Sequence, residues 1–174
     1  MKILPTLLSL GLSTIGFAET SVAEQIAEHS FFEKTAQGGM ADFQAGQLAQ
    51  SKGTREAVRK FGAMMVEDHG ASNKKLAALA RSKGITLPTA PNETQRESIR
   101  ELQAKTGARF DQEYVALQVK AHEASAQLLK SEIASGRDAD TKAFALELLP
   151  TVQSHLREAY RLAGREEMAA AMAQ

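Results

Sequence analysis

Three histidines, His69, His122 and His155, fall in three different segments with helical apolar periodicity. Each lies within or beside the apolar face of its segment, so the rings are expected to point toward the interior of a helical protein. Imidazole nitrogens are common ligands for transition-metal ions such as zinc, copper and iron. Grouped together, these residues would form a three-histidine metal site. His29, the fourth histidine, precedes the first predicted helix and is expected at the surface.

Carboxylates near these histidines in the sequence could support such a site. Asp68 directly precedes His69, and Asp111 is on the same side of its predicted helix as His122. Asp42, on the first predicted helix, is a further candidate. The predicted metal-site residues are therefore the three histidines together with Asp68 and Asp111.

Two hypotheses for the histidines remain open. In the first they bind a metal ion. In the second they form a metal-free polar layer that fixes helix register, with each ring nitrogen satisfied by an aspartate or a backbone carbonyl. A di-iron centre is disfavoured because it requires Glu-x-x-His pairs, and the positions three residues before the histidines are Val66, Val119 and Val152. This lack of Glu-x-x-His pairs favours the polar layer.

The elements that must position these residues are all helical. Ser30 and Glu33 form a capping-box pattern that predicts a first helix over 30–52. Further helices are predicted over 54–83, 93–105 (a short one), 108–135 and from Asp138 or Asp140 to about 163. No segment alternates with period two. Four long amphipathic helices predict an all-α fold, a four-helix bundle.

The heights of the histidines constrain how the helices are connected. At 1.5 Å per residue, His69, His122 and His155 lie at similar heights only if the second and fourth helices run in the same direction. The connector over 85–107 must then cross the length of the bundle, and it carries the short helix. The sequence therefore predicts a crossover connection rather than simple up-down-up-down order.

The N-terminal segment is typical of a secretory signal. Lys2 is followed by an uncharged apolar run that ends in Gly16-Phe17-Ala18. We expect residues 1–18 to be a signal peptide, 19–29 a short polar lead, 30–164 the bundle and 165–174 a flexible tail. The expected location is the periplasm or the exterior. Removal of residues 1–18 leaves 174 − 18 = 156 residues, with no second apolar stretch long enough to span a membrane.

Composition narrows the functional classes. The chain has 21 basic and 21 acidic residues and therefore no basic excess for nucleic acid. It contains no cysteine, which excludes disulfides and thiolate metal sites. No phosphate-binding loop or nucleophile elbow is present. These observations favour a non-enzymatic binding, structural or envelope-stress module. A metal-binding or metal-dependent redox protein is the alternative, and no partner is indicated.

Several motifs, taken in order, resemble those of an exported bacterial family called domain of unknown function 4142. They are Gly38-Gly39-Met40-Ala41-Asp42, Met65-Val66-Glu67-Asp68-His69, the segment from Thr106 to Tyr114, Ala121-His122, and Leu149-Pro150 with His155-Leu156. The resemblance covers residues 31–162. It implies a ferritin-like four-helix bundle in an exported protein, with recurring positions at Asp68, His69, Asp111, His122 and His155. It implies no activity.

Overall fold

The computed structural model describes residues 21–172, and every regular element in that range is a helix. The predicted signal peptide, together with residues 19 and 20 and residues 173 and 174, lies outside the described residues. The helices are α1 (Val22–Lys52), α2 (Glu56–Ser82), α3 (Glu93–Gln103), α4 (Gly107–Ser135), α5 (Ala139–Leu162) and α6 (Glu166–Ala171). None of the helices within 21–172 combines the length and apolar composition needed to cross a membrane.

Helices α1 and α2 form one antiparallel hairpin, and α4 and α5 form the other. The first hairpin is tightly packed because two glycines face each other. A Cβ atom added at Gly46 would lie 2.9 Å from the carbonyl oxygen of Gly62, and one added at Gly62 would lie 2.7 Å from the Cβ of Ala49. Any larger residue at either position would push the two helices apart.

Contacts at the two ends of the bundle establish the helix directions. At one end, the Thr54 amide, just before α2, donates to Asp111 near the start of α4 at 2.9 Å. At the other end, Lys83, which follows α2, pairs with Asp138 just before α5 at 2.5 Å. Helices α2 and α4 therefore run in the same direction. The connection between them crosses the bundle and carries α3, as predicted, and α3 packs against α1 and α4.

The first helix begins earlier than predicted. Ser21 caps α1: its hydroxyl accepts from the Glu24 amide, and its own amide donates to the Glu24 carboxylate. Ser21 and Glu24 repeat the capping-box spacing of Ser30 and Glu33, and no glycine or proline interrupts the segment between them. The polar lead predicted over 19–29 is therefore wrong from Val22 onward, where the chain is helical.

The tail was also predicted incorrectly. Residues 166–171 form α6 instead of a flexible segment. Ala169 on this helix is buried in the apolar cluster near the C-terminal end of α5, which is the Thr54 end of the bundle. Met172 packs against the same cluster. The bundle therefore extends beyond residue 164, because α6 covers apolar surface that would otherwise face water.

Two apolar clusters fill the core, one toward each end of the bundle. The cluster at the Thr54 end includes Phe61, Met65 and Tyr114. The cluster at the Lys83 end includes Phe32, Leu76 and Phe144. Between the two clusters lies a buried polar layer to which all four long helices contribute; its members are Asp42, His69, Gln118, His122 and His155.

Candidate metal centre

The structure brings together the three histidines that the sequence predicted to share a layer. His69 on α2, His122 on α4 and His155 on α5 are all buried, at 7%, 0% and 1% exposure. Their ring centroids are 5.3 to 5.5 Å apart. One nitrogen from each ring lies within 4.8 Å of the other two. Three side chains separated by 53 and 33 residues therefore converge on one point in the bundle.

His122 is at the centre of the group. Its Nε2 lies 3.4 Å from Nε2 of His69 and 3.3 Å from Nδ1 of His155. Zinc–imidazole bonds of about 2.0–2.1 Å in a tetrahedral site place neighbouring ligand nitrogens roughly 3.3–3.4 Å apart. The two separations therefore match the edge of a metal coordination polyhedron.

Outer hydrogen bonds determine which nitrogen carries the proton in two of these rings. Nδ1 of His122 is 3.0 Å from the carbonyl oxygen of Gln118, which can only accept, so Nδ1 donates. Nε2 of His155 is 2.8 Å from Oδ2 of Asp68 and donates to that carboxylate. In the neutral rings, Nε2 of His122 and Nδ1 of His155 therefore both present lone pairs to the centre.

Two of the three rings, those of His69 and His155, are held in the neutral form. Burial, together with the neighbouring His122, lowers the pKa of His155 to about 4, against the opposing effect of Asp68. Burial, His122 and His155 lower the pKa of His69 well below its ordinary value. Nδ1 of His155 lies 3.3 Å from Nε2 of His122, and this contact is a hydrogen bond only when one of the two nitrogens carries a proton.

Asp68 orients His155 and does not lie at the centre itself. Its carboxylate contacts the outer nitrogen of the ring, and its side chain is 39% exposed. A carboxylate that accepts from the second nitrogen of a metal-ligating histidine fixes the tautomer and ring orientation. The structure therefore places the predicted residue Asp68 behind His155, in contact with the ring nitrogen that faces away from the centre.

Asp111 is not part of this group, contrary to the prediction. It lies 11 residues before His122, roughly 16 Å along α4. Its carboxylate accepts from the amides of Thr54 and Arg55 and from the Thr54 hydroxyl, at 2.7 to 2.9 Å. These amides are at the start of α2, where the helix dipole favours a negative charge. Asp111 is thus a cap for α2 supplied by a neighbouring helix.

Asp42 brings a buried carboxylate from α1 to the polar layer. Its Oδ2 lies 3.8 Å from Nε2 of His69, and the residue is 4% exposed. Burial raises the pKa of Asp42, and His122 and the Gln118 side chain oppose this rise only in part. The sequence named Asp42 as a nearby carboxylate but did not include it among the predicted metal-site residues.

Sequence reasoning did not include two buried polar side chains of α4 among the site residues. Tyr114 and Gln118 are both fully buried on the face of α4 that carries His122. Within residues 21–172, the buried side-chain atoms with no hydrogen-bond partner are the Tyr114 hydroxyl and both amide atoms of Gln118. The four-residue spacing of 114, 118 and 122 was the available signal.

Comparisons with known proteins agree with this architecture. Residues 16–162 match the family described as Domain of unknown function (DUF4142). The solved structure of a DUF305 fragment from Deinococcus radiodurans is similar, with a TM-score of 0.65 and 13% identity over 83% of this chain and 97% of that chain. At that identity the likeness shows the fold alone. No protein with a curated description matches the chain. The chain belongs to the DUF4142 family, as its motifs suggested.

Proposed function

We propose that this protein binds a single transition-metal ion through Nε2 of His69, Nε2 of His122 and Nδ1 of His155. The observation that carries the proposal is the convergence of one nitrogen from each of three buried rings, with the central Nε2 of His122 lying 3.4 Å from His69 and 3.3 Å from His155. In the neutral rings, the lone pairs of His122 and His155 both face this centre, where a metal cation would accept them.

The surroundings of the rings support ligation. Each of His122 and His155 donates its outer ring proton to a fixed acceptor, the Gln118 carbonyl and the Asp68 carboxylate respectively. Such outer partners are typical of metal-ligating histidines and raise the basicity of the ligating nitrogen. The neutral, buried rings of His69 and His155 also bind a metal without first releasing a proton.

The ligand type favours zinc(II) or copper(II). Imidazole suits zinc, copper, nickel and iron, and affinity for nitrogen sites rises along the first-row series to copper. The chain has no cysteine to select a softer ion. The absence of Glu-x-x-His pairs argues against a di-iron centre.

A metal-free polar layer is the second candidate, and the hydrogen bond between His155 and Asp68 supports it. In this role the protein would be a structural or envelope-stress module without a cofactor. The two candidates differ in a measurable way, because only the first predicts stoichiometric metal binding.

We also propose that the protein is exported and acts in the periplasm or outside the cell. The support is the sequence of residues 1–18, with one lysine, an apolar run and a small-x-small end. Mass spectrometry of protein recovered from the periplasm should give a mature chain that begins at Glu19. A chain that retains Met1 would contradict the proposal.

Metal binding is tested by calorimetric titration of tag-free, chelator-treated protein with zinc(II) and copper(II). We expect one ion per chain for the wild type. His122→Ala should lose this binding, because His122 contributes the central nitrogen. His29→Ala is the matched control, since His29 is exposed on α1 and should leave binding unchanged. Absence of binding in the wild type, or equal binding by His122→Ala, would favour the polar layer.

A further inference from the structure

We infer that the metal centre keeps one coordination position open for an exchangeable small ligand, which faces Asp42 and Gln118 and is reached through a cavity beneath α3. The inference rests on the proposed function. It concerns the unfilled side of the site, whereas the proposed function concerns the three ring nitrogens.

The protein supplies only three close ligand atoms. Within residues 21–172, the mutually close group consists of the three histidines, and the Asp42 carboxylate falls outside it. Yet Oδ2 of Asp42 is only 3.8 Å from Nε2 of His69. The carboxylate therefore lies beside the centre, within reach of a solvent ligand on a metal held there. Three protein ligands plus a solvent position is the arrangement of reactive zinc sites, whereas structural sites are closed.

Unpartnered groups and open space coincide on this side of the site. The Gln118 amide is fully buried one turn before His122, and neither its nitrogen nor its oxygen has a partner at full hydrogen-bonding geometry. Its side chain faces Asp42 closely enough to oppose the rise in the pKa of that carboxyl. A cavity of about 30 Å³ is lined by Asp42, His69 and Asn73, among others. That volume holds one water molecule. A bound small molecule would satisfy buried groups that are otherwise costly to leave unpaired.

A larger cavity leads from the surface to Asp42. It has a volume of about 580 Å³ and lies between α1, α4 and the crossover helix α3. Its walls include small residues on successive turns of α1 and α4: Gly38, Ala41, Ala45, Ala121 and Ala124. A Cβ atom added at Gly38 would meet nothing within 4 Å. The space beside Gly38 is thus unfilled by any neighbouring side chain.

The chemistry of the open position favours a small oxygen or nitrogen donor, preferably an anion. Three neutral imidazoles leave the charge of a divalent ion uncompensated, so hydroxide or a comparable anion would bind well. Lys34 and Lys120 lie at the cavity and add positive charge along the route. Azide is a suitable probe, because it is small, anionic and visible through its effect on a coloured metal.

The test uses the full protein loaded with cobalt(II), whose visible spectrum reports coordination number. Metal content is measured first. We expect azide to change the spectrum saturably in the wild type. A loaded wild type with no azide-dependent change would overturn the inference and leave the proposed function intact, whereas failure to bind cobalt, zinc or copper would overturn both.

Cavity-filling variants test the access route. Gly38→Leu should retain metal and weaken azide binding, or slow it, at least tenfold. Ala121→Leu fills the same cavity from α4 and should act in the same direction. Gln44→Leu, on the exposed face of α1, is the control and should match the wild type. Unchanged azide affinity and rate in both filling variants, with the fold intact, would overturn the cavity as the route.

Discussion

Nε2 of His122 and Nδ1 of His155 face each other at 3.3 Å, and the outer nitrogen of each ring donates to a fixed acceptor. When both rings are neutral, the two facing nitrogens are both acceptors. A cation placed beside them would bind both lone pairs. This relationship connects the packing of α4 and α5 with the proposed metal binding.

Metal should stabilise the folded protein strongly. A ligand that binds only the folded state at 100 times its dissociation constant adds about 2.7 kcal/mol. Thermal unfolding of chelator-treated wild type should therefore shift upward by several degrees on addition of zinc(II) or copper(II). His122→Ala should show no such shift. Equal shifts in both proteins would indicate binding elsewhere on the surface.

Asp68 should control affinity more than stability. Asp68→Asn weakens the acceptor that fixes His155, and loss of such an outer partner typically lowers metal affinity 10–100-fold. Because the Asp68 side chain is 39% exposed, the metal-free protein should lose less than about 1 kcal/mol. Competition titration with a chelator measures the first effect and chemical denaturation the second. Glu67→Gln, at the exposed neighbouring position, is the control, and an equal affinity loss there would refute the role of Asp68.

Asp111 should behave in the opposite way. Asp111→Ala removes the cap of α2 and should cost about 2 kcal/mol in the free energy of unfolding, with metal affinity unchanged. Burial alone would raise the pKa of Asp111, but the hydrogen bonds from Thr54 and Arg55 outweigh it and lower that pKa. This stabilisation is therefore present above about pH 4 and is lost as the pH falls through the lowered value.

Chemical denaturation across this pH range measures the contribution of Asp111. The exposed neighbour Gln112 provides the control substitution Gln112→Ala. Loss of metal affinity in Asp111→Ala would indicate that Asp111 contributes to the metal site and would contradict a purely capping role.

The free energy of unfolding of the metal-free protein should fall in mild acid. His155 titrates near 6.5 when unfolded and at about 4 when folded, so the unfolded state takes up its proton first. Stability is therefore full above pH 6.5 and falls as the pH drops toward 4. His155 alone should account for about 2 kcal/mol between pH 8 and pH 5.

The groups that face His155 are His69 and Asp68 from α2 and His122 from α4. Chemical denaturation of wild type and His155→Leu in chelator measures how the free energy of unfolding changes with pH. This pH dependence should be smaller in the variant. A wild type equally stable at pH 5 and pH 8 would contradict the lowered pKa values.

The sequence predicted the fold well because helical periodicity is local and the histidine heights restricted the topology. The match of His69, His122 and His155 in height required the crossover that the structure contains. The predicted start of α1 was wrong because the sequence contains two capping boxes, at Ser21 and Ser30. Nothing local distinguished them, and the uninterrupted helix-forming segment between them allowed the earlier start.

The candidate site was predicted in part. The three histidines and the nearby Asp68 followed from spacing, whereas the function of Asp111 depends on Thr54, 57 residues away in the chain. On α4, the apolar residues Leu117 and Leu128 are only partly buried. The most buried face is turned by about one residue from them and carries Gln118, which no hydrophobic pattern could identify.

Anomalous diffraction from crystals of the zinc-loaded protein tests the central claim most directly, because it locates the ion relative to named atoms. We predict one zinc peak per chain inside the bundle, about 2.0–2.1 Å from Nε2 of His69, Nε2 of His122 and Nδ1 of His155. No peak in the polar layer, or a peak bound only to exposed side chains such as His29, would contradict the account.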